Sequence, residues 1–124
     1  MRITSVTLYH FHQAFQVGFA SPQFHRTAAD SVILALGFDT GVVGYGESAP
    51  REYVTGETCV SVTRVLAETA APCILNRTVE RIEDVRACLA EIEALTRTAG
   101  GPRPTSALGA VDLALLDALG RQRG

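Results

Sequence analysis

Three groups of side chains in this sequence carry residue types that do chemistry. His10 and His12 flank Phe11. On a strand, both imidazoles would stand on one face about 7 Å apart, which is half of a metal site, with Glu47 as a third ligand on a neighbouring strand. The plainer reading is two histidines satisfied by neighbours at the end of a sheet, and it is favoured because no second cluster of metal-binding residues is visible. His25 and Arg26 in one polar stretch, and Arg51, Glu52 and Tyr53 in another, have the makings of a ligand grip. A guanidinium fork takes a carboxylate bidentately, and an aromatic ring supplies a wall beside it. The alternative is a pair of solvated loops.

Other combinations carry less. Asp112 and Asp117 lie about 140° apart on a helical wheel, so each is expected to pair with an arginine or cap a backbone group rather than work as acid and base. Gly44-Tyr45-Gly46-Glu47-Ser48-Ala49 matches the form of a dinucleotide-binding fingerprint. That fingerprint needs a helix to start at its glycines, and here Pro50 and a loop intervene. Cys59, Cys73 and Cys88 fit neither a metal knuckle nor a redox pair and read as buried thiols. No Ser–His–Asp or Cys–His triad can be assembled from the spacing. All eleven basic residues are arginine, which excludes a lysine Schiff base or lysine general base within these 124 residues.

The elements that must position these groups fall into two halves. Period-two and β-branched signals come first and helical periodicity second, which argues for an α+β fold: a three-stranded antiparallel meander followed by a helical bundle. Strand one is expected over Ile3 to His12, with Val6, Leu8, His10 and His12 on one face and Ile3 out of phase at a bulge. From Gln13 to Asp30 periodicity disappears, and the stretch reads as a long loop. Strand two, Ser31 to Asp39, is apolar enough to be central, and Asp39-Thr40-Gly41 turns the chain into strand three, Val42 to Ala49. There Gly44 and Gly46 leave one face bare for close approach of another element. A second loop, Pro50 to Glu57, leads to a helix over Thr58 to Ala70 that Pro72 should stop. Thr78 is expected to cap the next helix, which carries the stripe Ile82, Val85, Leu89, Ile92 and Leu95 and stops at Ala99. The last helix, Thr105 to Gly120, is apolar on every side and is expected to pack against something outside the chain.

Composition bounds the role. With 124 residues, 47% of them hydrophobic, and a net charge of −2, the sequence describes one ordinary domain without the basic excess that nucleic acid or an anionic membrane surface would need. No apolar run approaches the roughly 20 residues of a spanning helix, and the sequence opens without a charged-then-apolar leader, so a cytoplasmic location is expected.

Three segments together form a family pattern: Ile3-Thr4-Ser5-Val6-Thr7-Leu8, the hairpin from Asp39 to Pro50, and Ala110-Val111-Asp112-Leu113-Ala114-Leu115-Leu116-Asp117-Ala118-Leu119-Gly120. This resembles the N-terminal capping domain of the enolase superfamily, in its muconate lactonizing enzyme and mandelate racemase branch. Tyr53-Val54-Thr55-Gly56-Glu57-Thr58 looks most like the dipeptide epimerases, with o-succinylbenzoate synthases nearby. The resemblance spans essentially all of residues 1–124.

In such relatives a (β/α) barrel follows the cap and carries the metal-binding carboxylates and catalytic lysines that take a proton from beside a carboxylate. The resemblance therefore implies a stand-alone or split capping domain with the barrel absent from this chain. It would not be catalytically competent alone, and would give a Mg2+-dependent isomerase or lyase, such as a dipeptide epimerase, only where a barrel partner supplies the ligands. What transfers is substrate selection and closure of the active site by the two loops, with Phe15, Phe24, His25, Arg26, Arg51 and Tyr53 as substrate-binding residues and no catalytic or metal residue. The first loop departs from the usual epimerase pattern. The expected partners are a second copy or a separate barrel chain, with a small carboxylate as ligand. Two other readings remain open: an independent small-molecule-binding protein or small enzyme with His10, His12, Glu47 or Arg26 lining a new pocket, and a truncated relic that only oligomerises.

Overall fold

Close backbone packing between a short strand and a long helix organises the molecule. The computed structural model describes residues 1–21 and 24–124, with side chains described for residues 1–12 and 30–124. Three strands, β1 (Ile3–Ser21), β2 (Phe24–Phe38) and β3 (Val43–Ser48), form an antiparallel sheet in the order β1-β2-β3. The helical part follows: a single turn α1 (Glu52–Thr55), then α2 (Cys59–Arg64), a π-helical stretch (Val65–Ala70) and α3 (Ala71–Ile74) in unbroken succession, then α4 (Ile82–Ala99) and α5 (Thr105–Arg123). The α+β meander-and-bundle architecture read from the sequence is the one observed.

The sheet follows the expected parity. The register shifts between Ile3 and Ser5, which puts Ile3 fully in the core despite its odd phase. Gly41 turns the hairpin at φ +85° and donates to the Phe38 carbonyl at 3.0 Å. In β3 the exposed Val43, Tyr45 and Glu47 alternate with buried Gly44, Gly46 and Ser48. A Cβ built on Gly44 would lie 2.1 Å from the Ala114 carbonyl oxygen, and one on Gly46 would lie 1.9 Å from that of Ala110. The two glycines therefore let α5 rest its alanine stripe, Ala110, Ala114 and Ala118, directly on the strand backbone.

That approach corrects one expectation. Most of α5 is covered by its own chain: Ala107, Leu108, Val111, Leu115 and Leu119 are buried along with the alanine stripe, against the sheet on one side and α4 and the 59–74 helix on the other. A helix this close to a sheet buries a wide arc, so the uncovered part shrinks to one flank, Leu113 at 53% exposure and Leu116 at 39%.

Other boundaries differ for identifiable reasons. The stretch 13–30 does not stay a structureless loop: β1 and β2 continue through it, pairing Ala14 with Ala28 and Ser21 with Phe24 across a register shift. Backbone pairing alone can extend a hairpin without apolar alternation, so its continuation leaves no periodic signal in the sequence. Pro72 does not stop the preceding helix. The Ala71 amide reaches back five residues to Leu66, and this π turn widens the helix just ahead of the proline ring. The fourth helix begins at Ile82 rather than at Thr78, which instead bridges to Arg2. Its cap is Asp84, whose Oδ2 accepts from the Glu80 amide at 2.8 Å and the Arg81 amide at 3.0 Å. Those bonds hold the Asp84 carboxyl below the usual aspartate range. The buried stripe of α4 is Val85, Cys88, Ile92 and Thr96, leaving Ile82 and Leu95 exposed. Of the three cysteines only Cys88 is fully buried; Cys59 and Cys73 are half-buried.

Candidate functional site

The second loop is a small built structure. Its centre is the single turn α1, in which the Val54 and Thr55 amides donate to the Arg51 carbonyl at 2.9 and 3.0 Å. Gly56, at φ +79°, closes the turn with its amide on the Glu52 carbonyl. A left-handed residue is needed at this point, and glycine supplies it without a Cβ penalty. Thr58 then caps α2 reciprocally: its hydroxyl accepts from the Ser61 amide at 3.1 Å, and the Ser61 hydroxyl accepts from the Thr58 amide at 2.9 Å.

Where this loop meets the root of the β1–β2 hairpin there is a cavity of about 500 Å³, lined by Asp30, Arg51, Glu52, Tyr53, Thr58 and Cys59 among others. The Arg51 guanidinium donates through Nη1 to the Ala49 carbonyl at 3.2 Å, which fixes its direction while leaving donors for a ligand. Glu52 and Tyr53 are exposed at the rim. The Cys59 thiol is pushed up from its ordinary value by burial and by the Asp30 charge, so it is a poor nucleophile. The chemistry available here is recognition: one cation, carboxylates and an aromatic ring around an open volume.

Of the residues expected to bind substrate, Arg51 and Tyr53 are brought together at this cavity. Phe15, Phe24, His25 and Arg26 lie outside the residues whose side chains are described. Asp30, Thr58 and Cys59 were not anticipated. Asp30 belongs here because it stands opposite His12 in the strand register, which local sequence does not reveal; the Thr58-x-x-Ser61 spacing of a helix cap is the signal that could have found Thr58.

The histidines have a different partner from the one imagined. His12 Nδ1 lies 2.6 Å from Asp30 Oδ1 and His10 Nε2 lies 3.7 Å from the same oxygen, with both imidazoles about 60% exposed. Glu47 pairs with Ile33, which pairs with Tyr9, so it stands on the opposite face of the sheet and cannot complete a metal site with them. Among the described residues no group of three His, Cys, Asp or Glu side chains is placed to hold a metal ion.

A second concavity, of about 690 Å³, lies outside β3, between Ile33 and Tyr45 on the sheet and Leu113, Leu116 and Arg121 on α5. Asp117 anchors it: Oδ2 accepts from the Tyr45 amide at 2.9 Å and from Arg121 Nε at 3.0 Å. The Tyr45 amide first, and then Arg121, hold the Asp117 carboxyl below the aspartate range. Both bland expectations for Asp117, an arginine pair and a backbone cap, are met, and the bond also occupies an amide on the free edge of β3.

Comparison with known proteins identifies the framework that carries these two concavities. The model of the mandelate racemase / muconate lactonizing enzyme N-terminal domain matches residues 5–124. The chain belongs to this family. Its sequence is 28% identical, over 98% of its length, to the N-succinyl-L-Arg/Lys racemase of Bacillus cereus, of which it covers 31%. The structure superposes on that of the L-Ala-D/L-Glu epimerase of Bacillus subtilis, solved in a substrate-liganded complex, with a TM-score of 0.87 and 25% identity, covering all of this chain and 32% of the other. The same fold recurs in the dipeptide epimerase of Enterococcus faecalis solved with Mg and L-Leu-L-Tyr, at a TM-score of 0.85 and 23% identity, covering 99% and 32% of the two chains. The capping domain thus spans about a third of the length of the relatives it matches. Among its described residues no helix is long and apolar enough to cross a membrane.

Proposed function

We propose that this capping domain selects the substrate and closes the active site of a (β/α) barrel that abstracts a proton from beside a carboxylate, in an isomerase or lyase acting on a dipeptide or other acylated amino acid. The observation that carries the reading is the cavity at the hairpin root, where Arg51 offers a carboxylate-binding fork beside Tyr53 and Glu52. In this reading the hairpin stretch contributes Phe15, Phe24, His25 and Arg26 to the same recognition, and the two together exclude water from the barrel mouth.

Magnesium, present in the Enterococcus faecalis relative, does not fit the residues described here. Mg2+ asks for near-octahedral oxygen ligands, whereas the histidine pair and Asp30 offer two imidazoles around one shared carboxylate oxygen. The metal and the proton-transfer groups are therefore assigned to the barrel, and no chemical step is assigned to this chain. The uncovered flank of α5, Leu113 and Leu116 beside Tyr45, supports a docking role, with either a barrel or a second copy of the cap as partner.

The test is a titration of the isotopically labelled chain with L-Ala-L-Glu and L-Leu-L-Tyr, followed by amide shifts. Binding is expected to perturb residues 50–59, and Arg51→Ala should weaken it about ten-fold, the scale of one charged hydrogen bond. Perturbations confined to other surfaces would overturn the reading. Light scattering tests the docking face: the chain is expected to associate, and Leu116→Glu to suppress association.

A further inference from the structure

We infer that Glu57 is a positioning residue: it pins the wall of the cavity to the first turn of α5, so that the selecting loop and the docking helix move as one body. The inference rests on the function proposed above and deepens it, since it concerns how the same site is held.

Glu57 is only 3% exposed, although it directly follows a loop whose Glu52, Tyr53 and Val54 are all exposed. Glu57 lines the cavity, but its carboxylate is bonded away from it. Oε1 accepts from the Ser106 amide at 2.8 Å, and Oε2 accepts from the Ser106 and Ala107 amides at 3.1 and 3.2 Å. Those amides open α5 and have no partner within the helix, and a negative charge at a helix N-terminus also meets the favourable end of its dipole. Buried, the contact escapes most of the screening that weakens surface ion pairs.

Ser106 holds the other end of the loop as well. Its hydroxyl bonds to that of Ser48, the last residue of β3. The chain thus leaves the sheet at Ser48, forms the Arg51–Gly56 turn, and returns at Glu57, with both ends fastened to one residue of α5. Between the two pins stand Arg51, Glu52 and Tyr53, whose side chains line the cavity. None of them is buried, and the pins and the turn's own hydrogen bonds fix the backbone from which they project. The same helix carries Leu113 and Leu116 two to three turns further on, which connects the docking flank to the cavity wall through one rigid element.

The experiment uses the labelled full chain with Glu57→Gln, which keeps the shape and removes the charge, and Glu57→Ala, which removes the acceptor. Exchange of the Val54, Thr55 and Gly56 amides, and of Ser106 and Ala107, should speed up about ten-fold in Glu57→Gln and more in Glu57→Ala, while the amides of α4 keep their protection. The shifts induced by L-Ala-L-Glu in residues 50–59 should weaken in parallel, and because Glu57 also lines the cavity, amide exchange in the ligand-free chain is the readout that separates positioning from direct contact. Unchanged protection in Val54–Gly56 would overturn the inference. A uniform loss through α4 and β2 would do the same, since Glu57 would then only stabilise the fold. If Glu57→Ala fails to fold, Glu57→Gln still decides. Local loosening with an unaltered dipeptide footprint would support the pin and sink the selection role of the loop, which separates failure of the two readings.

Discussion

The contact between β3 and α5 runs along the strand and the cavity at the second loop lies just past the strand's last residue, yet the two are held in opposite ways. At the first, Gly44 and Gly46 face Ala110, Ala114 and Ala118 with no space for a single added carbon. At the second, Arg51, Glu52 and Tyr53 project from a one-turn helix with no buried residue and no place in the core. Residue type is dictated by volume in one region and left open to ligand chemistry in the other. The proposed role uses both: a frame fixed by volume, and a wall whose side chains can answer to a ligand without unfolding it.

The sharpest way to break this contrast is to add one methyl group to the frame. Gly46→Ala would place its Cβ against the Ala110 carbonyl and Ala114 amide, backbone atoms that cannot swing aside. Separating α5 from the sheet should cost about 3 kcal/mol or more, at the upper end of overpacking effects, read as a fall in the urea midpoint. Wild-type stability in this variant would mean that α5 does not rest on β3. The converse holds at Gly109, where an added Cβ meets nothing within 4 Å, so Gly109→Ala should be neutral or slightly stabilising through helix propensity.

How much could be read in advance follows the same division. Alternating glycines in β3 and the Asp39-Thr40-Gly41 turn carry their meaning locally, so the meander and the bare face of β3 were legible, whereas the last helix, apolar all round, was expected to pack outside the chain rather than on that face. Pro72 misled because a π turn, invisible in residue types, makes room for it. The continuation of the hairpin past His12 left no periodic trace in the sequence, since backbone pairing requires none. At the site, Arg51 and Tyr53 were legible as recognition chemistry. Glu57 was not, since its partners lie 49 and 50 residues further on and nothing near it in sequence foretells burial. Asp30 depended on a strand register that only the folded sheet defines.

A middle-sized effect tests whether the frame is also held electrostatically. Asp117 and Asp84 both have carboxyls held below the ordinary value by backbone amides, at the β3 edge and at the start of α4 respectively. A carboxylate depressed in the folded state contributes stability above its unfolded value, near pH 3.9, and loses it as the pH falls through the folded value. The domain should therefore lose stability from about pH 4 downward, with none of this contribution changing between pH 6 and 8. Asp117→Asn should cost about 1 kcal/mol at neutral pH and flatten part of that acid limb. Asp84→Asn should flatten another part, and because the two sites share no partner their effects should add. An acid limb unchanged in the double variant would remove these carboxylates from the account.

The smallest expected effect sharpens the comparison most. Arg51→Ala and Glu52→Gln change half-buried and exposed groups respectively, so each should leave the urea midpoint within about 0.5 kcal/mol of wild type. The Arg51 side chain bonds to Ala49, two residues away, and that bond alone is too local to hold the fold together. The diagnostic quantity is the ratio of two losses in one variant. If the second loop exists for recognition, Arg51→Ala removes most of the dipeptide response and almost no stability, the inverse of Gly46→Ala within β3. If Arg51→Ala instead lowers stability by more than about 1 kcal/mol, well outside the usual range for surface substitutions, the loop belongs to the frame and the division between strand and loop disappears.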